Sequence, residues 1–198
     1  MISAIVAVDK NNGIGNDGDM LFIIPEHMDN FINLTSGKKV IIGRETFENL
    51  PQAIPNRVNM VISSDKKKLT ANSTKLLKCL RGIKNLNTEE EINKAFSTLT
   101  DENNAIEIWY DMQTIKTYLE NVVTKDEDIY IMGGASVFKE LLPYCDEIHM
   151  TRYDVEYKAD TFFPNIDEDS SWEIKEESEV KIYDGSNYKS FVYKRVNK

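Results

Sequence analysis

The sequence is poor in the residues that mark several structural classes. Its 198 residues include two cysteines, two histidines, five prolines and nine glycines. So little glycine and proline excludes collagen-like and low-complexity architectures. Cys79 and Cys145 are far apart, and with His27 and His149 they are too few for a disulfide framework or a structural zinc site. We therefore expect no metal site, and a reducing compartment, the cytoplasm, as the location.

Long apolar runs and an excess of positive charge are also missing. No apolar segment approaches the ~18–20 residues that cross a bilayer. The apolar start at 2–8 has no basic residues before it and stops at Asp9, which is typical of a strand and not of a signal peptide. The formal net charge of −9 argues against nucleic-acid binding through a broad basic field. We expect neither nucleic acid nor membrane as a partner.

Apolar runs and helical periodicities alternate over much of the chain. Buried strands are predicted at 2–8, 39–43, 58–64 and 129–133. Helices are predicted to start near Pro25, Arg44 and Gly134. This alternation predicts βαβ units and a largely parallel sheet.

The C-terminal part has a different pattern. Strand-like segments at 147–154, 172–182 and 188–196 follow one another without a helix, and turn residues at 184–187 join the last two as a hairpin. The glycine-rich segment 9–19 predicts a loop. The pattern as a whole predicts a single α/β domain over residues 1–198, with a mostly parallel mixed sheet, antiparallel C-terminal strands and flanking helices.

Residues 65–108 are too many for an ordinary connection, which usually has about 4–6 residues. A capping box at 88–91 is followed by apolar residues at helical spacing. We interpret 65–108 mainly as an inserted helical excursion, which is either a lid or oligomer contact or a peripheral decoration without function. A further helix with Ile115 and Leu119 is predicted before the strand at 129–133.

Glycines stand at two of the predicted strand-to-helix turns, Gly43 and Gly133 with Gly134. Backbone N–H groups at such turns bind phosphate, and the missing Cβ lets an anion approach. Either turn alone also fits a simple bend, but two turns at one edge of a sheet favour a ligand with a pyrophosphate. The full Gly-x-Gly-x-x-Gly fingerprint of dinucleotide-binding folds is absent.

A cation and two hydroxyls follow the same strands. Arg44 comes after Gly43, and Ser63 and Ser64 end the strand at 58–64. Strand ends of one sheet converge, so these residues fit a further phosphate and favour NADPH over NADH. The alternatives are a solvated arginine at a helix start and a polar strand exit.

Together these motifs resemble the dihydrofolate reductase family along almost the whole chain. The matching segments occur in the family's order at 2–8, 13–15, 17–20, 24–25, 40–48, 54–57, 62–64, 129–134, 141–143 and 160–164. The resemblance implies a reductase that transfers hydride from NADPH to C6 of 7,8-dihydrofolate, with protonation at N5, and gives tetrahydrofolate.

The resemblance also implies the site residues. The catalytic residues it implies are His27, Met20, Glu26 and Thr151. The substrate pocket it implies is formed by Ile5, Ala7, His27, Met28, Phe31, Leu50, Ile54, Arg57, Met132 and Thr151. The cofactor site it implies is formed by Ala7, Ile14, Gly15, Gly18, Asp19, Gly43, Arg44, Glu45, Thr46, Ser63, Ser64, Gly133, Gly134, Ala135, Ser136, Val137 and Phe138.

Three of these residues have specific roles in the resemblance. Arg57 pairs with the α-carboxylate of the substrate's glutamate tail through a two-pronged contact. Thr151 supports the polar edge of the pterin. Met20 lies over the reacting rings, in a mobile loop at 11–21 that closes over the nicotinamide.

His27 departs from the family pattern, which has an aspartate or glutamate four residues before the phenylalanine that matches Phe31. Neutral imidazole has one acceptor nitrogen and imidazolium has none, so His27 cannot accept two hydrogen bonds as a carboxylate does. Three hypotheses stay open. His27 works, with a bound water; the helix start is shifted so that Glu26 serves; or the residue is a natural or engineered change that lowers activity.

His27 also predicts a pharmacological property. Diaminopyrimidine antifolates such as trimethoprim bind this family as cations facing the carboxylate, so we expect weak binding here. We further expect an activity that titrates in the usual histidine range.

Two other functions are alternatives to the reductase. One is a folate- or NADPH-binding protein with weakened catalysis, which His27 favours. The other is a reductase of the same fold that acts on a pyrimidine intermediate of riboflavin synthesis, against which Arg57 argues. We expect a monomer that takes dihydrofolate and antifolates as its small-molecule partners, with a dimer through residues 65–108 as the alternative.

Overall fold

The computed structural model describes residues 1–50, 53–63, 106–109, 111–121, 123–124 and 126–196. The described helices are α1 Pro25–Thr35, α2 Arg44–Asn49, α3 Met112–Asn121 and α4 Ala135–Leu141, followed by a 3-10 turn at Leu142–Tyr144. The described strands are β1 Ile2–Val8, β2 Gly13–Asn16, β3 Asp19–Met20, β4 Lys39–Gly43, β5 Val58–Ile62, β6 Ile106–Trp109, β7 Ile129–Gly133, β8 Glu147–Tyr153, β9 Thr161–Phe162, β10 Trp172–Glu177, β11 Lys181–Tyr183 and β12 Ser186–Arg195.

Nine of the described strands form one mixed sheet in the order β10-β12-β8-β1-β7-β4-β5-β6, with β11 paired to β12. The strands from β8 to β6 run parallel to one another. β12 is antiparallel to both β8 and β10. The predicted fold class, a mostly parallel sheet with antiparallel C-terminal strands, is confirmed.

The central strand β1 separates two sides of the sheet because its side chains alternate. Ala4, Val6 and Val8 are buried in the main hydrophobic core, beneath α3 and α4. Ile5 and Ala7 point to the opposite face, the side on which α1 carries its inward residues. This second face positions the candidate site.

Helix α1 starts at Pro25, which fits the first helical position because it needs no N–H donor there. Its buried residues are Phe31 and Thr35. His27, Phe31 and Thr35 are four residues apart, so they share one helix face. The helix ends before Gly37, which has a φ of +72°.

The segment at 9–19 is not the simple loop that its glycines predict. β2 and β3 pair in it as a hairpin, and β2 also pairs with β9 in a second, three-stranded sheet. Its two-residue turn, Asp17–Gly18, has φ values of +53° and +87°. An Asp-Gly pair is a strong signal for this hairpin turn, so the sequence contained the information.

Two further expectations are corrected. The strand expected over 172–182 is interrupted at 178–180 and so divided into β10 and β11. At this interruption the N–H of Ser178 donates to the carbonyl of Ser190, and the N–H of Ser190 donates to the hydroxyl of Ser178. Residues 106–108 belong to the edge strand β6 and not to a helical excursion; a four-residue strand gives little periodic signal. The rest of the expected excursion, 65–105, lies outside the described residues.

None of the helices in the described ranges is both long and apolar enough to span a membrane.

Candidate functional site

The first contact of the candidate site joins α1 to β8. Nδ1 of His27 lies 3.0 Å from Oγ1 of the buried Thr151. The Thr151 hydroxyl also lies 3.5 Å from Oγ of Ser190 on β12. Burial lowers the pKa of His27 to about 4, so the imidazole is neutral at pH 7. The sequence predicts a titration in the usual histidine range, and the structure instead places the titration of His27 below that range.

Glu26 points away from this contact. Its carboxylate forms an ion pair with Lys181 on β11 and accepts a hydrogen bond of 2.8 Å from the Tyr188 hydroxyl on β12. The Lys181 hydrogen bond, with help from Tyr188, lowers the pKa of Glu26. Burial and this carboxylate raise the pKa of Tyr188 to about 12. The structure therefore brings His27 to Thr151 and holds Glu26 against the C-terminal hairpin.

Arg57 lies at the other end of the inward face of α1. Its Nε donates a hydrogen bond of 2.7 Å to Oγ1 of Thr35, and its guanidinium carbon lies 5.2 Å from the centre of the Phe31 ring. Its Nη2 donates to the carbonyl of Ile32 at 3.1 Å and its Nη1 to that of Pro55. Arginine has five N–H donors, so Nη1 and Nη2 each carry a second one. These suit a two-pronged contact with a carboxylate.

The loop that carries Arg57 is fixed by Asn59, a buried residue of β5. Its side-chain amide accepts from the N–H of Ile54 at 3.1 Å and donates to the carbonyl of Ile54 at 3.0 Å. Ile54, one of the expected pocket residues, is thereby held at a fixed position. Asn59 was missed from the sequence because an asparagine within an apolar strand has no motif around it.

The remaining expected pocket residues lie on β1, on β7, on α1 and directly after α2. Ile5 and Ala7 lie on the inward face of β1, and Ala7 is the β-sheet partner of Thr151 on the neighbouring strand β8. Leu50 and Met132 pack on the small cluster formed by Ile42, Phe47 and Val61. Met28 is half-buried on α1, next to His27.

The two glycine turns lie side by side, because β4 and β7 are neighbours and Ile42 is paired with Gly133. A Cβ on Gly43 would lie 3.5 Å from the backbone N of Gly134, and one on Gly134 would lie 3.0 Å from Oγ1 of Thr46. Gly133 has a φ of +106° and is joined to Gly134 by a cis peptide bond. The gap between the turns is lined by backbone, by the Thr46 hydroxyl and by the side chain of Val137, whose Cγ2 would lie 3.1 Å from a Cβ on Gly43.

The helix after Gly134 carries four of the expected cofactor residues. Val137 and Phe138 are buried in the main core, and the Phe138 ring packs on Phe163 with 4.8 Å between centroids. Their side chains belong to the core, since this helix buries them against the sheet. Ala135 and Ser136 instead line a surface cavity of about 410 Å³ together with Phe162.

Arg44 is paired with two carboxylates of its own helix. Its Nη1 donates to Glu48 at 2.7 Å and its Nη2 to Glu45 at 2.9 Å. Ser63 is buried at the end of β5, and Ser64 lies outside the described residues. Glu48 was not among the expected site residues, although its spacing of four from Arg44 could have indicated the pair.

The β2–β3 hairpin carries Ile14, Gly15, Gly18, Asp19 and Met20. Ile14 packs on the main core, whereas the side chain of Met20 is exposed. Hydrogen bonds anchor the hairpin from two sides, through Asp160 and through Asn49.

Asp160 provides the first anchor. Its N–H donates to the carbonyl of Gly15 at 3.1 Å, and its carboxylate accepts from the N–H of Asp17 at 2.8 Å. This backbone hydrogen bond lowers the pKa of Asp160. Asn49 at the end of α2 provides the second, since its amide donates to the carbonyl of Gly18 at 2.8 Å. Neither contact has a sequence signal, because the partners are far apart in the chain.

Comparisons with known proteins agree over the full length of the chain. The family model described as dihydrofolate reductase matches residues 1–96 and 97–198. Dihydrofolate reductase of Bacillus subtilis is 29% identical over 200 residues, which cover 100% of this chain and 96% of that protein. The enzyme of Staphylococcus haemolyticus is 27% identical over 198 residues, which cover 98% and 96%.

A solved structure has the same fold. It is dihydrofolate reductase from Enterococcus faecalis complexed with NADP(H) and RAB-propyl, with a TM-score of 0.70 and 25% sequence identity. The match covers 100% of this chain and 97% of that one.

Proposed function

The chain belongs to the dihydrofolate reductase family, and we propose that it reduces 7,8-dihydrofolate to 5,6,7,8-tetrahydrofolate with NADPH as the hydride donor. The observation that carries this proposal is the inward face of α1. It has a polar pair, the half-buried His27 with the buried Thr151, at one end and the Arg57 guanidinium at the other. A polar ring with an anionic tail fits these two ends.

The residues at the ends of β4 and β7 fit a dinucleotide. Side chains at Gly43 and Gly134 would close the gap between the two turns, whereas glycine leaves it open to a pyrophosphate. Ala135, Ser136 and Thr46 border that gap, and Arg44 supplies positive charge nearby. When bound, NADPH supplies the hydride; the protein residues bind and orient the reactants and exclude water.

We propose that His27 binds the pterin edge as a neutral imidazole. One of its nitrogens is committed to Thr151, so the ring offers the ligand a single nitrogen, Nε2. With Nδ1 donating to the threonine, Nε2 accepts one hydrogen bond, where a carboxylate would accept two. The proton for N5 then comes from solvent, because an imidazole with a pKa of about 4 holds no proton to give at neutral pH.

A direct assay tests the proposed reaction. The unmodified protein, NADPH and dihydrofolate are mixed, and the absorbance of NADPH is followed with time. We expect turnover that saturates in both reactants, and loss of turnover when either reactant is omitted. Binding of both reactants without oxidation of NADPH would contradict the proposal and would identify the protein as a binding protein without catalysis. The match of the whole chain to reductases does not favour that alternative.

We also propose that the enzyme is a monomer and works in the cytoplasm. Cys145 is a buried thiol that donates to the carbonyl of Leu141 at 3.5 Å, and two cysteines in the sequence are too few for a disulfide framework, which fits a reducing compartment. The alternative, a dimer through 65–108, would depend mostly on 65–105, which lie outside the described ranges. Analytical ultracentrifugation measures the mass directly, and a mass of twice 22.8 kDa would contradict the monomer.

A further inference from the structure

The guanidinium of Arg44 is held between two carboxylates that differ in their surroundings. Glu48 lies one helical turn along α2, and its side chain is only 16% exposed, similar to that of Arg44 at 13%. Glu45 is the neighbouring residue, and its side chain is 85% exposed. The Arg44–Glu48 pair is therefore half-buried and fixed in place, whereas Glu45 covers the guanidinium from the solvent side.

This arrangement affects any anion that approaches Arg44 from solvent. The hydrogen bond of 2.9 Å from Nη2 to Glu45 is exposed, whereas that from Nη1 to Glu48 is half-buried. A phosphate that binds there must displace the Glu45 carboxylate or accept it as a neighbour of like charge. In either case the carboxylate weakens phosphate binding, by an amount in the range of an exposed ion pair.

We propose that Glu45 is a specificity-determining residue that reduces the preference of this enzyme for a phosphorylated dinucleotide. The inference rests on the proposed function, together with the sequence-based prediction that Arg44 faces the further phosphate of NADPH, its 2′-phosphate. NADH lacks this phosphate, so Glu45 affects its binding far less. Glu48 holds the guanidinium of Arg44 in place from a less exposed position, with 2.7 Å between Nη1 and its carboxylate.

Equilibrium binding of the two dinucleotides to the purified protein tests this proposal. Dissociation constants for NADPH and NADH are measured for the unmodified protein and for Glu45→Gln, which keeps the shape of the side chain and removes its charge. We expect the affinity for NADPH to rise about threefold to fivefold and that for NADH to stay constant. The gain should disappear in ~1 M salt, where exposed charges are screened within about 3 Å.

Two variants separate this inference from its alternatives. Glu156→Gln changes the net charge equally at an exposed site, where Glu156 pairs with Lys10, and should leave both constants unchanged. Arg44→Ala should weaken NADPH binding and leave NADH binding nearly constant. If Arg44→Ala has this effect but Glu45→Gln does not tighten NADPH binding, the role of Glu45 is wrong and the cofactor site stands. If Arg44→Ala changes neither constant, the proposed cofactor site itself is wrong. An equal gain in Glu45→Gln and Glu156→Gln would also overturn the inference, since it would reflect net charge alone.

Discussion

Nδ1 of His27 and Oγ1 of Thr151 lie 3.0 Å apart and join the first turn of α1 to β8. The family motif has a carboxylate at the position of His27, and the adjacent carboxylate of Glu26 does not replace it, because Lys181 and Tyr188 hold it elsewhere. The polar end of the pocket therefore has no negative charge at neutral pH. Of the three hypotheses for this position, a shifted helix start with Glu26 in the pocket is not the arrangement observed.

Trimethoprim should bind the unmodified protein weakly. The protonated inhibitor ring normally faces a carboxylate, and a missing partner for a buried charge costs ~3–5 kcal/mol, or about two to four decades in affinity. We expect His27→Asp to regain this affinity and to raise turnover at neutral pH. Inhibition constants of the two proteins measure the effect.

Glu26→Gln is the matched control for that experiment. It removes the carboxylate that is adjacent to His27 in the chain. Because this carboxylate is paired with Lys181 and Tyr188 on the C-terminal hairpin and does not face the inhibitor, the inhibition constant should not change. Nanomolar inhibition of the unmodified protein, with loss of activity in Glu26→Gln, would instead mean that Glu26 enters the pocket.

The buried imidazole should make folding stability depend on pH. The pKa of His27 falls from 6.5 to about 4 on folding, so between these values the unfolded chain binds a proton that the folded protein does not. Stability therefore decreases as the pH falls from about 6.5 to about 4, by about 3 kcal/mol in total. The free energy of unfolding in urea is measured for the unmodified protein and for His27→Gln, each at pH 7 and at pH 4. Between these pH values the unmodified protein should lose about 3 kcal/mol more than the variant. If the free energies of both proteins change equally with pH, the assignment to His27 is wrong.

Arg57 should contribute to the binding of the substrate tail. Arg57→Leu is expected to raise KM for dihydrofolate at least tenfold with a much smaller effect on kcat, the pattern of lost uniform binding. Because Arg57 also supports Thr35 and the loop before β5, a dihydropterin without a glutamate tail serves as control substrate. Its KM should be nearly equal in both proteins; an equal rise for both substrates would indicate a structural role only.

Gly133 should tolerate a side chain far less than another glycine of similar backbone conformation. A Cβ at Gly133 would lie 2.7 Å from Cε2 of Phe138, whereas Gly185, with a φ of +76°, has nothing within 4 Å. Alanine at either position has the backbone strain of about 1–2 kcal/mol. Gly133→Ala should lose roughly 1–3 kcal/mol more because of overpacking. Thermal unfolding of the two variants compares them, and equal losses would mean that the Phe138 ring moves aside easily.

The sequence predicts those parts of the fold that have local causes. Apolar runs locate β1, β4, β5 and β7, and Pro25 and Gly37 mark the ends of α1. The Asp17–Gly18 turn had a local cause too, but the glycines around it favoured a loop.

The site was less predictable because its contacts join distant segments. The motifs identify His27 and Arg57, but the choice between His27 and Glu26 depends on Lys181 and Tyr188, more than 150 residues further along the chain. Neither hydrophobic periodicity nor motif spacing in the sequence indicates a contact between residues so far apart in the chain. The pairing of Arg44 with Glu48, by contrast, follows from helical spacing and was open to prediction.

The place of β1 in the sheet has a consequence for biosynthesis. Both of its neighbours, β7 and β8, start beyond residue 128. β1 thus leaves the ribosome long before either partner, and its apolar side chains stay without them during that interval. Such long-range pairing slows folding and gives nascent chains time to associate. We therefore expect chaperones to bind β1, the strand at the centre of the finished sheet, while the rest of the chain is being made.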